Sequence, residues 1–172
     1  MTDALVIGAG PAGLMAAREL ARAGCLVTVA EAKPSVGRKL LMAGKSGLNL
    51  TKSEPFDAFL AAYGDRAEAL RPMLAAFGPD AVQDWARAHE QALFTGSTGR
   101  VFPCAMKASP LLRSLLAELR GLGVTTRTRW RWTGWDGGAV TFDTPEGPHC
   151  LCPAVTVLAC GGASWARLGS DG

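Results

Sequence analysis

Residues Asp3 to Ala32 read DALVIGAGPAGLMAARELARAGCLVTVAEA, and this run constrains the fold more than any other part of the chain. Ala4 to Ile7 is a short apolar stretch, suited to a strand buried on both faces. The turn Gly8-Ala9-Gly10-Pro11-Ala12-Gly13 follows at once. A helical period then puts Leu14, Ala17, Leu20 and Ala21 on one face and continues to Ala23, with Gly24 as its C′ residue. Leu26 to Ala30 is a second apolar run, and it ends at Glu31. Strand, glycine turn, helix, strand and terminal acid in this order form the pattern of a dinucleotide-binding βαβ unit.

Each glycine has a separate task in such a unit. Gly8 permits the tight turn out of the strand, Gly10 lets the backbone approach a diphosphate, and Gly13 lets helix and strand pack closely. The helix start offers unpaired N–H groups and about half a positive charge. Glu31 can accept both hydroxyls of an adenosine ribose and would repel a 2′-phosphate, which disfavours NADP here.

NAD and FAD share the adenosine diphosphate half, so this turn serves either. The stretch after Glu31 distinguishes them. A Gly-Arg pair, Gly37-Arg38, comes soon after the acid and opens the loop GRKLLMAGKSGLNLT, Gly37 to Thr51. Its glycines are costly to order, while its cations and short polar side chains supply donors for a ligand longer than NAD. Gly37 and Arg38 suit the diphosphate or adenosine edge. Gly44, Ser46, Gly47, Asn49 and Thr51 suit a ribityl chain or flavin.

Composition narrows the class. The chain has 172 residues, 48% hydrophobic and 19% charged, which reads as a globular domain with a real core. The net charge of +3 is compatible with an anionic ligand without demanding nucleic acid. No apolar run reaches membrane-spanning length and the start lacks a leader pattern, so a cytoplasmic protein without membrane or nucleic-acid partners is expected. The five cysteines are Cys25, Cys104, Cys150, Cys152 and Cys160. With His89 and His149 they complete no zinc-like spacing, so the expectation is no metal and buried or idle thiols.

The remaining chain divides by pattern. Pro55 to Ala92 reads as a helix-rich insertion, with Pro72 separating two short helices. Phe56, Phe59, Leu60, Leu70, Leu74, Phe77, Val82 and Trp85 are its expected core, and His89 with Glu90 a solvated pair. Ser109-Pro110 starts a helix with apolar positions Leu111, Leu112, Leu115, Leu116 and Leu119. Arg127 to Trp132, RTRWRW, alternates strictly and reads as a half-buried antiparallel strand pairing with Ala139 to Thr144 across Asp136-Gly137-Gly138. Ala154 to Cys160 reads as a buried strand, and Gly161-Gly162 lets its end approach a ligand or backbone.

Three blocks together resemble the FAD-binding flavoproteins of the YhiN/BaiN type, also described as aminoacetone-oxidase-like. They are VIGAGPAG with Glu31, then GRKLLMAGKSGLNLT, then LACGGASWARLGSDG at Leu158 to Gly172; GRVFPCAMKASPLL, Gly99 to Leu112, is similar as well. The resemblance implies a three-layer α/β FAD/NAD(P)-binding, Rossmann-like domain with a parallel sheet, helices on one side and a small antiparallel β-meander. It also implies an FAD-dependent oxidoreductase acting on a small-molecule substrate, with a substrate or cap domain beyond Gly172. Arg100 and Lys107 would approach the flavin, and Trp132 would meet the adenine through its backbone. Many members carry Arg-Cys where this chain has Gly47-Leu48, which points to a different substrate. The expected cofactor contacts are Gly8, Gly10, Pro11, Ala12 and Gly13 at the turn. Glu31, Ala32, Lys33, Gly37, Arg38 and Lys39 follow, then Ser46, Gly47, Asn49, Leu50 and Thr51 on the loop. Arg100, Trp132, Cys160, Gly161 and Gly162 complete the set. FAD is the expected cofactor and NAD(P)H a candidate electron donor. An NAD-dependent dehydrogenase and an FAD-containing RNA-modifying protein stay open as alternatives, and no catalytic residue can be named.

Overall fold

The first run folds as its pattern predicts. In the computed structural model, which describes residues 2–162, β1 (Ala4–Ile7) leads into α1 (Pro11–Arg22) and then β2 (Val27–Glu31). Pro11 stands in the first helical turn, where its missing N–H is no loss. Gly24 has φ +90° directly after the C-cap Ala23, as a C′ residue does.

The chain divides into two compact units, Met1–Met42 with Leu115–Gly172 and Ala43–Ser114. In the first, β1 and β2 join β6 (Thr125–Thr128) and β10 (Val155–Leu158) in a parallel sheet of order β10-β1-β2-β6. α1 buries Gly13, Leu14 and Ala17 against β1 and β2. Arg18 ties α1 to the end of α6 (Ser109–Gly121) through a two-pronged contact with Glu118, both distances 2.9 Å. The other sheet face carries an antiparallel meander of β7 (Arg131–Asp136), β8 (Ala139–Thr144) and β9 (Gly147–Leu151). Leu5, Ile7 and Ala30 of the parallel sheet share one core with Val140 and Phe142 of β8. Strand residues alternate faces, so Ala4 and Val6 serve the helix side. This is the three-layer Rossmann-like architecture.

The second unit holds a small sheet of order β3-β5-β4, from β3 (Thr51–Lys52), β4 (Leu93–Thr95) and β5 (Arg100–Pro103). It also holds α3 (Phe56–Ala61), α4 (Ala67–Ala76) and α5 (Pro79–Ala88). A short helix, α2 (Arg38–Ala43), precedes it. The helix-rich reading holds for the helices, but the sheet was not legible, because β3 has two residues and β4 three.

Five expectations need correction. Pro72 does not separate two helices: α4 runs through it. Only the hydrogen bond to the Glu68 carbonyl is forgone there, and Glu68 is solvent-exposed. Of the expected insertion core, Leu60 is buried but Phe77 is 42% exposed, because α4 packs chiefly on α3 and the turn before it. His89 is not a solvated partner of Glu90. It is 6% exposed, and its Nδ1 lies 2.9 Å from the Ser114 hydroxyl. The run RTRWRW is not one strand. β6 pairs with β2, β7 pairs with β8, and Arg129 between them has φ +59°. β10 is, among the described residues, an edge strand rather than a buried one, with Val155 and Leu158 half exposed. The thiols of Cys104, Cys150, Cys152 and Cys160 are free and exposed, which fits idle rather than buried cysteines.

Candidate functional site

The carboxyl ends of β1, β2 and β10 meet at one place, where ligands collect in open α/β sheets. Ala159 N–H donates to the Ile7 carbonyl at 2.8 Å, and Gly8 N–H donates to the Ala30 carbonyl at 2.8 Å. The three strand exits are thereby fixed side by side. A cavity of about 270 Å³ opens there, lined by residues of the first unit.

The glycines divide into two kinds. Gly8 has φ +104°, and a Cβ on it would lie 2.3 Å from the Ala159 carbonyl oxygen. A Cβ on Gly13 would lie 1.8 Å from the Gly8 carbonyl oxygen. Both positions are dictated by backbone approach inside the fold. Gly10 is different: it is extended, with φ −79° and ψ −177°, and a Cβ there would meet nothing within 4 Å among the described residues. Nothing among the described residues requires glycine at that position.

Glu31 stands at the end of β2 and lines the cavity. One carboxylate oxygen accepts the Ala9 N–H at 2.9 Å, and the other accepts the Lys33 N–H at 2.9 Å. Each oxygen keeps acceptor capacity toward the cavity. The acid therefore bridges the phosphate-type turn and its own turn. Gly37 N–H donates to the Ala9 carbonyl at 2.8 Å, which brings the start of α2 against the same turn.

Arg38 and Lys39 line the cavity from α2. Arg38 Nε is buried and has no hydrogen-bond partner among the described residues, an orphaned donor beside an open space. Lys39 Nζ donates to the Gly162 carbonyl at 3.2 Å. The meander supplies an aromatic wall. Trp130 packs on Phe142 and His149 at centroid distances of 5.4 and 4.8 Å. Trp132 spends its Nε1–H on the Gly134 carbonyl at 2.9 Å, which fixes its ring. Cys160 completes the rim, its Sγ 3.9 Å from the Ile7 carbonyl oxygen. Partial burial, and then the Glu31 charge, push this thiol above its ordinary pKa.

Of the residues expected from sequence, Gly8, Gly10, Pro11 and Ala12 line the cavity, as do Glu31, Ala32, Arg38 and Lys39. So do Trp132, Cys160 and Gly161. Gly13 lies beneath the turn, Lys33 and Gly37 support it through their N–H groups, and Gly162 receives Lys39. Ser46, Gly47, Asn49, Leu50, Thr51 and Arg100 form a separate group in the second unit. There Leu50 N–H donates to the Val101 carbonyl at 2.9 Å, and Thr51 and Lys52 pair with Val101 and Arg100. A Cβ on Gly47, φ +119°, would lie 2.7 Å from Met106 Cε, so that glycine accommodates a neighbouring loop. Ser46, Asn49 and Arg100 are exposed. Sequence reasoning missed Trp130, because its direction depends on the turn at Arg129. Residues 163–172 of the third block lie outside the described residues.

A sequence profile of the HI0933-like protein Rossmann domain matches residues 2–172. The chain belongs to that family. Solved structures agree on the fold. BexE, studied for oxidation during BE-7585A biosynthesis, is 26% identical, with a TM-score of 0.55 over 97% of this chain and 33% of its own. A flavocytochrome c3 fumarate reductase in its open conformation is 23% identical, with a TM-score of 0.69 over 94% of this chain and 34% of its own. Aklavinone-11 hydroxylase in complex with FAD and aklavinone is 24% identical, with a TM-score of 0.52 over 96% of this chain and 34% of its own. This member of the HI0933-like family thus spans about a third of the length of these structures. Among the described residues no helix is long and apolar enough to cross a membrane, and no cluster of His, Cys, Asp and Glu is placed to hold a metal.

Proposed function

We propose that this chain binds FAD and forms the dinucleotide-binding part of an oxidoreductase acting on a small organic substrate. The observation that carries the reading is Gly10. The fold explains Gly8 and Gly13 by backbone contact, whereas the open space above Gly10 is explained by a group that must come close to the start of α1. A diphosphate is such a group. The α1 N–H groups and the Arg38 guanidinium, with its orphaned Nε, would hold its oxygens. Glu31 would accept the adenosine ribose hydroxyls, and the wall of Trp130 and Trp132 would flank the adenine.

The cavity volume supports a division of labour. At about 270 Å³ it is smaller than the roughly 300–1,000 Å³ of complete ligand pockets. It suits the adenosine diphosphate half, with the ribityl and flavin half extending beyond it. When bound, FAD supplies hydride or electron transfer. The residues of this chain bind and orient it, and the Glu31 charge disfavours a 2′-phosphorylated nucleotide in the same place.

The finer reading is membership of the YhiN/BaiN type, with residues 1–172 as one FAD-binding domain interrupted by a helical insertion at about 55–92. A substrate or cap domain then lies in sequence beyond residue 172, a reading supported by the greater length of the solved relatives. The test is direct. Intact purified protein should show a flavin absorption spectrum, and the released compound should have the mass of FAD. A colourless protein that turns over with a nicotinamide dinucleotide alone refutes the reading.

A further inference from the structure

Between β6 and β7 the chain must leave the parallel sheet and enter the meander. It does so over Arg129 and Trp130. Arg129 has φ +59°, the left-handed region that a residue with a Cβ enters only when its surroundings impose it. Backbone contacts hold it from one side, and the Trp130 ring packed on Phe142 and His149 from the other. Arg129 N–H donates to the Lys33 carbonyl at 3.2 Å, and Trp130 N–H donates to the Glu31 carbonyl at 3.0 Å. Lys33 N–H donates in turn to the Glu31 carboxylate at 2.9 Å. Two turns are thus laced together at two points, and the held turn fixes its own acid, the acid of the cavity, through the third. The Arg129 side chain is exposed.

We propose that the left-handed hinge at Arg129 is a positioning device for Glu31, and that it thereby sets the preference for a free ribose over a 2′-phosphorylated one. The proposal rests on the adenosine diphosphate reading of the cavity. If residue 129 relaxes to negative φ, the following peptide plane turns and Trp130 N–H leaves the Glu31 carbonyl. The Glu31–Lys33 turn then loses its outside tether, and the Lys33 N–H no longer fixes the carboxylate. Affinity for a ribose that needs the carboxylate falls by the fraction of molecules still held. A 2′-phosphorylated nucleotide, which the carboxylate repels, does not lose in proportion. The ratio of the two affinities therefore reports hinge function, whereas a general folding defect would scale both affinities alike.

The test is calorimetric titration of intact, flavin-stripped protein with ADP and with 2′-phospho-ADP. Arg129→Asn removes the charge but tolerates the left-handed conformation. It should bind ADP at least as tightly as the unaltered protein and keep the discrimination. Arg129→Val disfavours that conformation and should bind ADP about tenfold more weakly, with the ADP preference reduced by a similar factor. If Arg129→Val fails to fold, Arg129→Ala replaces it, with a smaller loss in the same direction. Equal weakening by Asn and Val would assign the effect to the guanidinium and overturn the proposal. So would an unchanged Val or Ala variant, or one that weakens both nucleotides alike. An unaltered protein that binds neither nucleotide overturns the adenosine diphosphate reading, and the hinge proposal falls with it.

Discussion

Replacing Gly10 by valine should separate folding from cofactor binding. Gly10 is the N-cap of α1 and precedes Pro11, which itself favours extended backbone at residue 10. Its φ of −79° and ψ of −177° suit a β-branched residue, and no atom of the described residues lies within 4 Å of an added Cβ. Valine is a poorer N-cap than glycine, by up to about 1 kcal/mol. Against this, a Cβ restricts the unfolded chain and returns about 0.4–1 kcal/mol. The two terms nearly cancel, so Tm should move by no more than roughly 2–4 °C. Binding should respond differently. The isopropyl group would stand over the N-terminus of α1 and keep a diphosphate oxygen from its N–H donors. Hydrogen bonds to a charged group contribute about 1.5–3 kcal/mol each, so losing one or two weakens binding by about 3 kcal/mol, roughly 100-fold. The control is Gly13→Ala, whose Cβ would lie 1.8 Å from the Gly8 carbonyl oxygen. That overpacking costs about 3 kcal/mol of stability, a fall of roughly 6–12 °C. Thermal melts and ADP titrations of both variants supply the comparison. A Gly10→Val protein that binds ADP normally, or one that melts as low as Gly13→Ala, refutes the reasoning.

Three further outcomes follow from the same geometry. Glu31→Ala should weaken ADP binding about 10- to 100-fold and also lower Tm, since the Ala9 and Lys33 N–H groups lose their acceptor. Unchanged ADP affinity by calorimetry would count against the ribose role. Alkylation of Cys160, followed by mass spectrometry against pH, should have its midpoint above the ordinary thiol range. Because the folded state holds this proton more tightly, its stabilising contribution is present below the unfolded-state pKa and is lost as pH rises through the folded one. Glu31→Gln should move the alkylation midpoint down, and an unmoved midpoint would exclude the carboxylate as a cause. Gly47→Ala should cost about 1–2 kcal/mol, because φ +119° strains any side chain. Adding Met106→Ala should recover only the smaller, contact part, so full recovery in chemical denaturation would locate the cost in the Met106 contact instead.

Much of the first unit was legible because its determinants are local. The βαβ unit, the special roles of Gly8 and Gly13, the C′ position of Gly24 and the acid at Glu31 all follow from backbone sterics and hydrophobic period within one short run. The glycines ending β10 were legible as a place of close approach, but the pairing of β10 beside β1 was not, because it joins strands from opposite ends of the described chain. Other features had no local signal. His89 is polar by composition, and a partner distant in sequence, Ser114, helps to make its burial tolerable. Val155 and Leu158 have the apolar pattern of a buried strand, and only the edge position of β10 leaves them exposed.

By itself, the sequence determined that a phosphate-type turn would form and that an acid would end the second strand. Those outcomes depend on which backbone angles a residue can adopt, and on the spacing of apolar side chains along one element. Tertiary structure alone decided what surrounds the turn: Arg38 beside it with an orphaned donor, Trp130 in the wall, and Arg129 forced left-handed to lace the acid in place. Those features depend on hydrogen bonds between separate segments, Gly37 to Ala9 for the first and Arg129 and Trp130 to Lys33 and Glu31 for the others, and no local pattern of residues encodes them.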